Sequence, residues 1–233
     1  MHDLERALVI SLTKSPKLEN ILTENGFLIV DGNPDFIISY GGDGTILFSE
    51  RMHPQVPKLI IKRENACRKF DYSIDQLPDI LMKIRKGKYE MRHEIKLEAA
   101  YKQRKLVGLN EIQIHAKLPI SAVRFALTVD GRIYENLIGD GVVIATPFGS
   151  TGYYKSTGGK PFTRGIGISF NNLHNKRIPS LVASENSVLK MRIDRGPALL
   201  LADNDQNIIE LEKDDRCSIK KSETVAKFIY VSQ

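Results

Sequence analysis

The apolar run Phe36-Ile37-Ile38-Ser39-Tyr40 ends abruptly in Gly41-Gly42-Asp43-Gly44-Thr45. A short apolar, β-branched run bounded by turn residues reads as a buried strand, and glycine lets the chain turn tightly at its end. In an open α/β sheet, ligands bind in the crevice beyond the carboxyl ends of the strands. The turn therefore sets one carboxylate, Asp43, among backbone that a phosphate can approach closely, a geometry suited to phosphoryl transfer. The competing reading is an ordinary strand-to-helix turn in which Asp43 is the helix N-cap. Two commoner phosphate loops are excluded. No Gly-x-x-x-x-Gly-Lys-Ser/Thr occurs, and Gly42-x-Gly44 is followed by Leu47 where a dinucleotide fingerprint has its third glycine.

Around this turn, strands and helices alternate. Strands are expected at Arg6–Leu12, Phe27–Val30, Asp35–Tyr40 and Lys58–Ile61, with helices at Pro16–Asn25, from about Gly44 to Met52, and from a Ser73 cap to Lys86. Such alternation implies a parallel sheet with helices on its faces. Beyond Gly87 the character changes. Tyr89–Tyr101, Leu106–Ala116, Ala122–Val129 and Arg132–Leu137 are strand-like, and Asp130-Gly131 is a hairpin signal. Further strands are expected at Val142–Ala145, Gly165–Phe170, Ser187–Ile193, Leu199–Leu201, Ile208–Leu211 and Arg216–Lys220. The fold class is thus α/β plus all-β: an N-terminal α/β domain over 1–87 and a β-rich, sandwich-like domain over 88–233, whose last residues pack back on the first.

Composition narrows the partners. With 233 residues, 42% hydrophobic and 27% charged, the chain is long enough for one large or two small cores. No apolar stretch is long enough to span a bilayer, and the N-terminus reads as a first strand and not as a signal peptide. Cys67 and Cys217 make no metal-ligand spacing, so a reducing cytoplasm is expected. The net charge of +6 suits a polyanionic small molecule as well as nucleic acid. The basic residues are dispersed and not interleaved with aromatics, so no nucleic-acid partner is expected.

Three further segments carry polar chemistry. Ala145 to Gly159 is dense in hydroxyls and glycines, a polar cradle in which Tyr153 and Tyr154 either stack on a base or pack beneath the loop. A surface turn is the plainer alternative. Asn110 shares strand parity with Ile112 and Ile114, which points it to the buried face, where an amide needs partners. Asp140, between Gly139 and Gly141, is by itself most simply a turn residue.

In order along the chain, Gly-Gly-Asp-Gly-Thr at 41–45, Asn-Glu at 110–111, Asp-Gly at 140–141 and Thr-Pro-x-Gly-Ser-Thr-Gly-Tyr at 146–153 resemble the signature of the NAD kinase family. The first motif is shared with lipid kinases and phosphofructokinase-like enzymes; the ordered set is much more specific. The resemblance runs over nearly the whole chain, including a similar ending at Gln206–Asp215. It implies transfer of a terminal phosphate from ATP or polyphosphate to the 2′-hydroxyl of the adenosine ribose of NAD, at an active site between the two domains. Asp43 is then the base that accepts the hydroxyl proton. Gly41, Gly42, Gly44 and Thr45 approach the phosphates, and Asp43, Gly44, Asn110, Glu111, Asp140, Thr151, Gly152, Tyr153, Tyr154, Lys155, Ser156 and Gln206 contact NAD. Mg²⁺ is expected to arrive with ATP; no dedicated metal site and no tightly bound organic cofactor are expected. A cytoplasmic homo-oligomer, dimer or tetramer, is implied, with no membrane partner.

The chain departs from the family pattern in three places. Residues 61–68 lack the usual glycines, Phe148 replaces a small hydroxyl residue, and Asn204-Asp205-Gln206 replaces Asp-Gly-Gln, so that Gln206 alone transfers. The alternatives to an NAD kinase are a non-catalytic NAD(P)-binding homologue and a lipid or other small-molecule kinase with the same first motif.

Overall fold

The structure, a computed structural model, describes residues 4–63 and 70–232. It divides into two compact units, Met1–Glu94 with Val225–Gln233, and Ile95–Thr224.

In the first unit, β1 (Arg6–Ser11), β2 (Leu28–Ile29), β3 (Phe36–Gly41) and β4 (Lys58–Lys62) form a parallel sheet in the order β2-β1-β3-β4. Parallel sheets are covered on both faces, and β3 is accordingly buried along nearly its whole length. The helices are α1 (Pro16–Glu24), α2 (Asp43–Met52) and α3 (Leu77–Arg85). Leu18 and Leu22 of α1 and Leu77, Ile80, Leu81 and Ile84 of α3 share a core with Phe36, Ile38, Leu59 and Ile61. Strand residues alternate in direction, and Ser39 points the other way, where its Oγ lies 3.1 Å from Ser49 Oγ of α2. Local chemistry sets the helix ends. Ser15 Oγ accepts the Leu18 N–H and Pro16 opens α1 with its φ already suited to a helix. Gly26, in the left-handed region at a φ of 77°, follows the helix. The end of the chain belongs here too. The Tyr72 hydroxyl both donates to Val231 O and accepts from Val231 N, each at 2.8 Å.

The second unit carries the β-rich part. Its strands are the greater part of β5 (Glu90–Tyr101), β6 (Arg104–Gly108), β7 (Glu111–Ala116), β8 (Val123–Val129), β9 (Arg132–Gly139), β10 (Gly141–Ala145), β11 (Ile166–Asn171), β12 (Leu181–Ala183), β13 (Leu189–Arg195), β14 (Ala198–Ala202), β15 (Ile209–Leu211) and the start of β16 (Arg216–Tyr230). One antiparallel sheet runs β12-β11-β10-β7-β14-β15; in the other, β9, β8, β13 and β16 are successive neighbours, and β5 pairs with β16 and β6. Ile112, Ile114, Val142, Ile144 and Ile168 of the first sheet share one core with Phe125, Leu127, Leu189, Met191 and Ile219 of the second. This is a sandwich, held by the inner faces of two sheets. Asp130 and Gly131 take positive φ values of 47° and 85°. The two-residue hairpin between β8 and β9 requires both.

Three elements differ from the sequence expectation. Leu106–Ala116 is not one strand: it breaks at Leu109-Asn110 into β6 and β7. The three-residue β12 was not anticipated, being too short to show alternation. The last strand extends ten residues past Lys220, through the polar run Lys221–Thr224 to the buried Ala226, Phe228 and Ile229. Cys217 lies on this strand, and its burial, reinforced by Asp215, pushes its thiol up to about 12. It is therefore a neutral packing residue. Cys67 lies outside the described residues. No helix among the described residues is long and apolar enough to cross a membrane.

A buried ion pair joins α2 to β4: Lys58 Nζ donates to Glu50 Oε2 and, at 2.7 Å, to His53 O, with both side chains essentially inaccessible. Removing one partner strands a buried charge, so Glu50→Ala should lower stability by about 3–5 kcal/mol in urea titrations. The double change Glu50→Leu with Lys58→Met should recover most of that loss.

Candidate functional site

The glycine turn owes its shape to close packing. A Cβ at Gly41 would collide with the Thr45 side chain, so glycine there lets α2 start directly at the end of β3. Gly42, with extended backbone, is the N-cap and makes no side-chain cap bond; Asp43 is the first residue of the helix. The N-cap reading of Asp43 is therefore overturned. Its carboxylate is released from capping, and Oδ1 is shut off from solvent with no hydrogen-bond partner among the described residues. Buried polar atoms are nearly always paired, so this acceptor stands ready for a donor that the described residues do not supply. Gly44 is exposed, whereas Thr45 is buried with its side chain under Gly41. The order β2-β1-β3 reverses between β1 and β3. This edge is thus the topological switch point at which open α/β sheets bind ligands.

The second unit gathers Asn110, Glu111 and the Gly-rich segment around one buried turn. Asn110 is 8% exposed, but not as the strand residue its parity suggested: it sits in the break between β6 and β7. Asp203, at the end of β14, closes that break. Its carboxylate accepts the N–H groups of Leu109, Asn110 and Glu111 at 2.7, 2.8 and 3.0 Å, and its own N–H donates to Glu111 O at 3.0 Å. Thr146, fully buried, binds the same turn from the other side. Its N–H donates to Asn110 O at 2.9 Å, its hydroxyl to Leu109 O at 2.6 Å, and it accepts the Gly149 N–H at 3.0 Å. A Cβ at Gly149 would strike Asn110 O, so only glycine allows this approach. Glu111 Oε1 accepts from Gln113 Nε2 at 3.2 Å, and the Glu111 carboxylate lies alongside Gly152.

The Gly-rich segment after β10 forms a 3₁₀ turn, Phe148–Thr151, followed by the short helix α4, Tyr153–Ser156, and so is not the plain surface turn of the alternative reading. The two tyrosines divide the alternatives left open by the sequence. Tyr154 is 1% exposed and packs edge-on against Phe162, above Val143 and Ala145. Tyr153 is 50% exposed. Thr151, Lys155 and Ser156 are exposed and Gly152 is half-buried. Asp140 is half-buried, and its Oδ2 accepts from Asn172 Nδ2 at 3.1 Å. Gln206 lies exposed in the loop between β14 and β15. Phe148 is half-buried. Of the glycine-free stretch, only Ile61, Lys62 and Arg63 lie among the described residues. Among those residues no group of three or more His, Cys, Asp or Glu side chains is placed to hold a metal ion. Sequence reading passed over Asp203, because an Asp-Asn-Asp run after a strand looks like any polar turn.

Residues 109–231 match the pattern of the ATP-NAD kinase C-terminal domain. The chain belongs to the NAD kinase family. It is 31% identical to the NAD kinase of Thermoplasma volcanium over 86% of its own length and 75% of that protein. To the NAD kinase of Sulfurimonas denitrificans it is 27% identical over 84% of this chain and 72% of that one. The structure superposes on an NAD kinase from Archaeoglobus fulgidus, solved in complex with ATP, with a TM-score of 0.82 at 26% identity, covering 96% of this chain and 92% of that one. It also superposes on yeast NADH kinase complexed with NADH, with a TM-score of 0.84 over 100% of this chain and 85% of that one; at 16% identity this is a likeness of fold alone. The expected NAD kinase family and its fold class are thus borne out. The family match spans Asn110, Glu111, Thr146, Gly149 and Asp203, while the glycine turn lies outside it.

Hydrogen bonds to a charged group contribute about 1.5–3 kcal/mol each. Asp203→Ala should therefore speed hydrogen exchange at the amides of Leu109, Asn110 and Glu111 by about 10- to 100-fold, with the β10 amides unchanged, as measured by NMR.

Proposed function

We propose that the chain is an NAD kinase that transfers the terminal phosphoryl group of ATP, or of polyphosphate, to the 2′-hydroxyl of the adenosine ribose of NAD. The ribose oxygen attacks the terminal phosphorus and a new P–O bond forms. The bond from that phosphorus to the bridging oxygen breaks, and its electron pair leaves with ADP or the shortened polyphosphate. The hydroxyl proton passes to Asp43. Magnesium enters as part of the MgATP substrate, where it offsets charge on the phosphates.

The observation that carries this reading is the Asp43 acceptor that has no partner among the described residues, in a chain of the NAD kinase family. A sugar hydroxyl is a very weak acid, so a carboxylate positioned to take its proton as the P–O bond forms contributes about 10²–10⁴-fold. The remainder is in-line positioning and charge neutralisation. Gly41, Gly42 and Gly44 bring backbone close to the phosphates. The N-terminus of α2, without a side-chain cap, favours negative charge there. Thr45 supports the turn from below. Asn110 and Glu111 hold NAD hydroxyls, stiffened from behind by Asp203 and Thr146. Thr151, Gly152, Tyr153, Lys155 and Ser156 line the adenosine end, with Tyr154 as their packed base. Asp140 and Gln206 complete the NAD contacts, Asp140 within a homo-oligomer. The working compartment is the cytoplasm.

The test is NADP formation by the purified protein from NAD, with ATP and polyphosphate assayed as separate donors and NADH as a second acceptor. Asp43→Asn should reduce kcat by about 10²–10⁴-fold while the KM for NAD changes little; unchanged turnover would remove Asp43 from the mechanism. Asn110→Ala, which deletes one ligand hydrogen bond, should raise the KM for NAD by about tenfold.

A further inference from the structure

In the first unit β3 lies between β1 and β4, so its glycine turn has a neighbouring strand end on each side. Arg63 follows β4. Its N–H donates to Gly41 O at 3.2 Å, which fixes its backbone beside the turn. Its guanidinium Nη1 donates to Thr13 Oγ1 at 2.8 Å. Thr13 follows β1, on the far side of β3. The Arg63 side chain therefore crosses the carboxyl end of β3 from one neighbour to the other, over the switch point.

Two oxygens at this edge lack partners among the described residues. Ser11 Oγ, at the end of β1, and Asp43 Oδ1 are both shut off from solvent without a hydrogen bond among the described residues. An unsatisfied buried polar atom costs stability, and a ligand is one way to satisfy it. Ser11 has a hydroxyl to donate, and Arg63 has a forked set of N–H groups. Among the described residues only Nη1 of that fork finds a side-chain partner. No carboxylate among them pairs with Arg63, whereas its neighbour Lys62 is held by Asp71 at 3.4 Å. A planar guanidinium without a carboxylate partner matches phosphate oxygens in geometry as well as in charge.

We propose that Arg63 binds the terminal phosphates of the phosphoryl donor, with the Ser11 hydroxyl as a neutral donor beside it. The proposal rests on the kinase reading above and deepens it, because Arg63 spans the same strand end from which Asp43 starts its helix. The shared chemistry is a linear chain of phosphates, from either ATP or inorganic polyphosphate.

The test uses Arg63→Gln, which retains a donor for Thr13 but loses the charge, and Thr13→Val, which removes the strap but keeps the charge. Arg63→Gln should raise the KM for the donor by about tenfold or more while the KM for NAD changes less than about twofold. Thr13→Val should have a smaller effect, and Arg63→Lys should restore part of the loss. An effect with ATP only, or with polyphosphate only, identifies which donor is gripped. An unchanged donor KM for Arg63→Gln, in a protein that makes NADP, overturns the proposal. Calorimetry with inorganic tripolyphosphate gives a readout independent of turnover. The unaltered protein should bind it, and Arg63→Gln should bind at least about tenfold more weakly; equal binding overturns the assignment. Should the unaltered protein make no NADP from either donor, the kinase reading fails, and this titration still decides the role of Arg63.

Discussion

A buried turn must find partners for its backbone N–H and C=O groups, and the break between β6 and β7 meets that demand with one carboxylate. Asp203 takes three successive amides, while Thr146 takes the carbonyls of the same turn. With both sides of the backbone held, the Asn110 and Glu111 side chains project from a fixed base. The same contacts bring β14 and the segment after β10 to that base, so the Gly-rich segment starts from a rigid point. The NAD-binding role proposed for this region depends on that rigidity, because positioned hydrogen-bonding groups bind without first being ordered.

The first unit follows a different logic. There two side-chain oxygens at one sheet edge, Ser11 Oγ and Asp43 Oδ1, are left without a partner among the described residues. Gly41 and Thr45 pack so tightly that α2 begins at the strand end and leaves Asp43 no capping task. The result is a carboxylate oxygen without a partner among the described residues at the switch point, with an arginine drawn across the same edge. Local frustration of this kind is expected where a fold gives up stability for function. The buried Lys58–Glu50 pair shows the contrasting case, a charge matched within the chain.

Much of the architecture was legible because it is written in local chemistry. The helix α1 beginning at Pro16, the Asp130-Gly131 hairpin and the apolar run of β3 depend on neighbouring residues, and each formed as expected. The ordered motifs likewise pointed to the family that the relatives support. Errors arose where neighbours do not decide. The run from Leu106 to Ala116 looked continuous, since nothing near Leu109 announces that a carboxylate more than ninety residues away will hold the turn open. The polar run Lys221–Thr224 concealed the continuation of β16 for the same reason.

What the amino-acid order determined by itself is the set of turns, the periods of the elements and the presence of one carboxylate in a phosphate-friendly loop. Only the tertiary structure decided that Asp43 is not a cap, that Tyr154 packs inside while Tyr153 faces out, and that Asp203 and Arg63 belong beside the motifs at all. The physical reason is range. Turn and helix signals act over a few residues, whereas a hydrogen bond from Arg63 to Thr13 or from Asn110 to Asp203 exists only after distant strands have paired and carried their ends together.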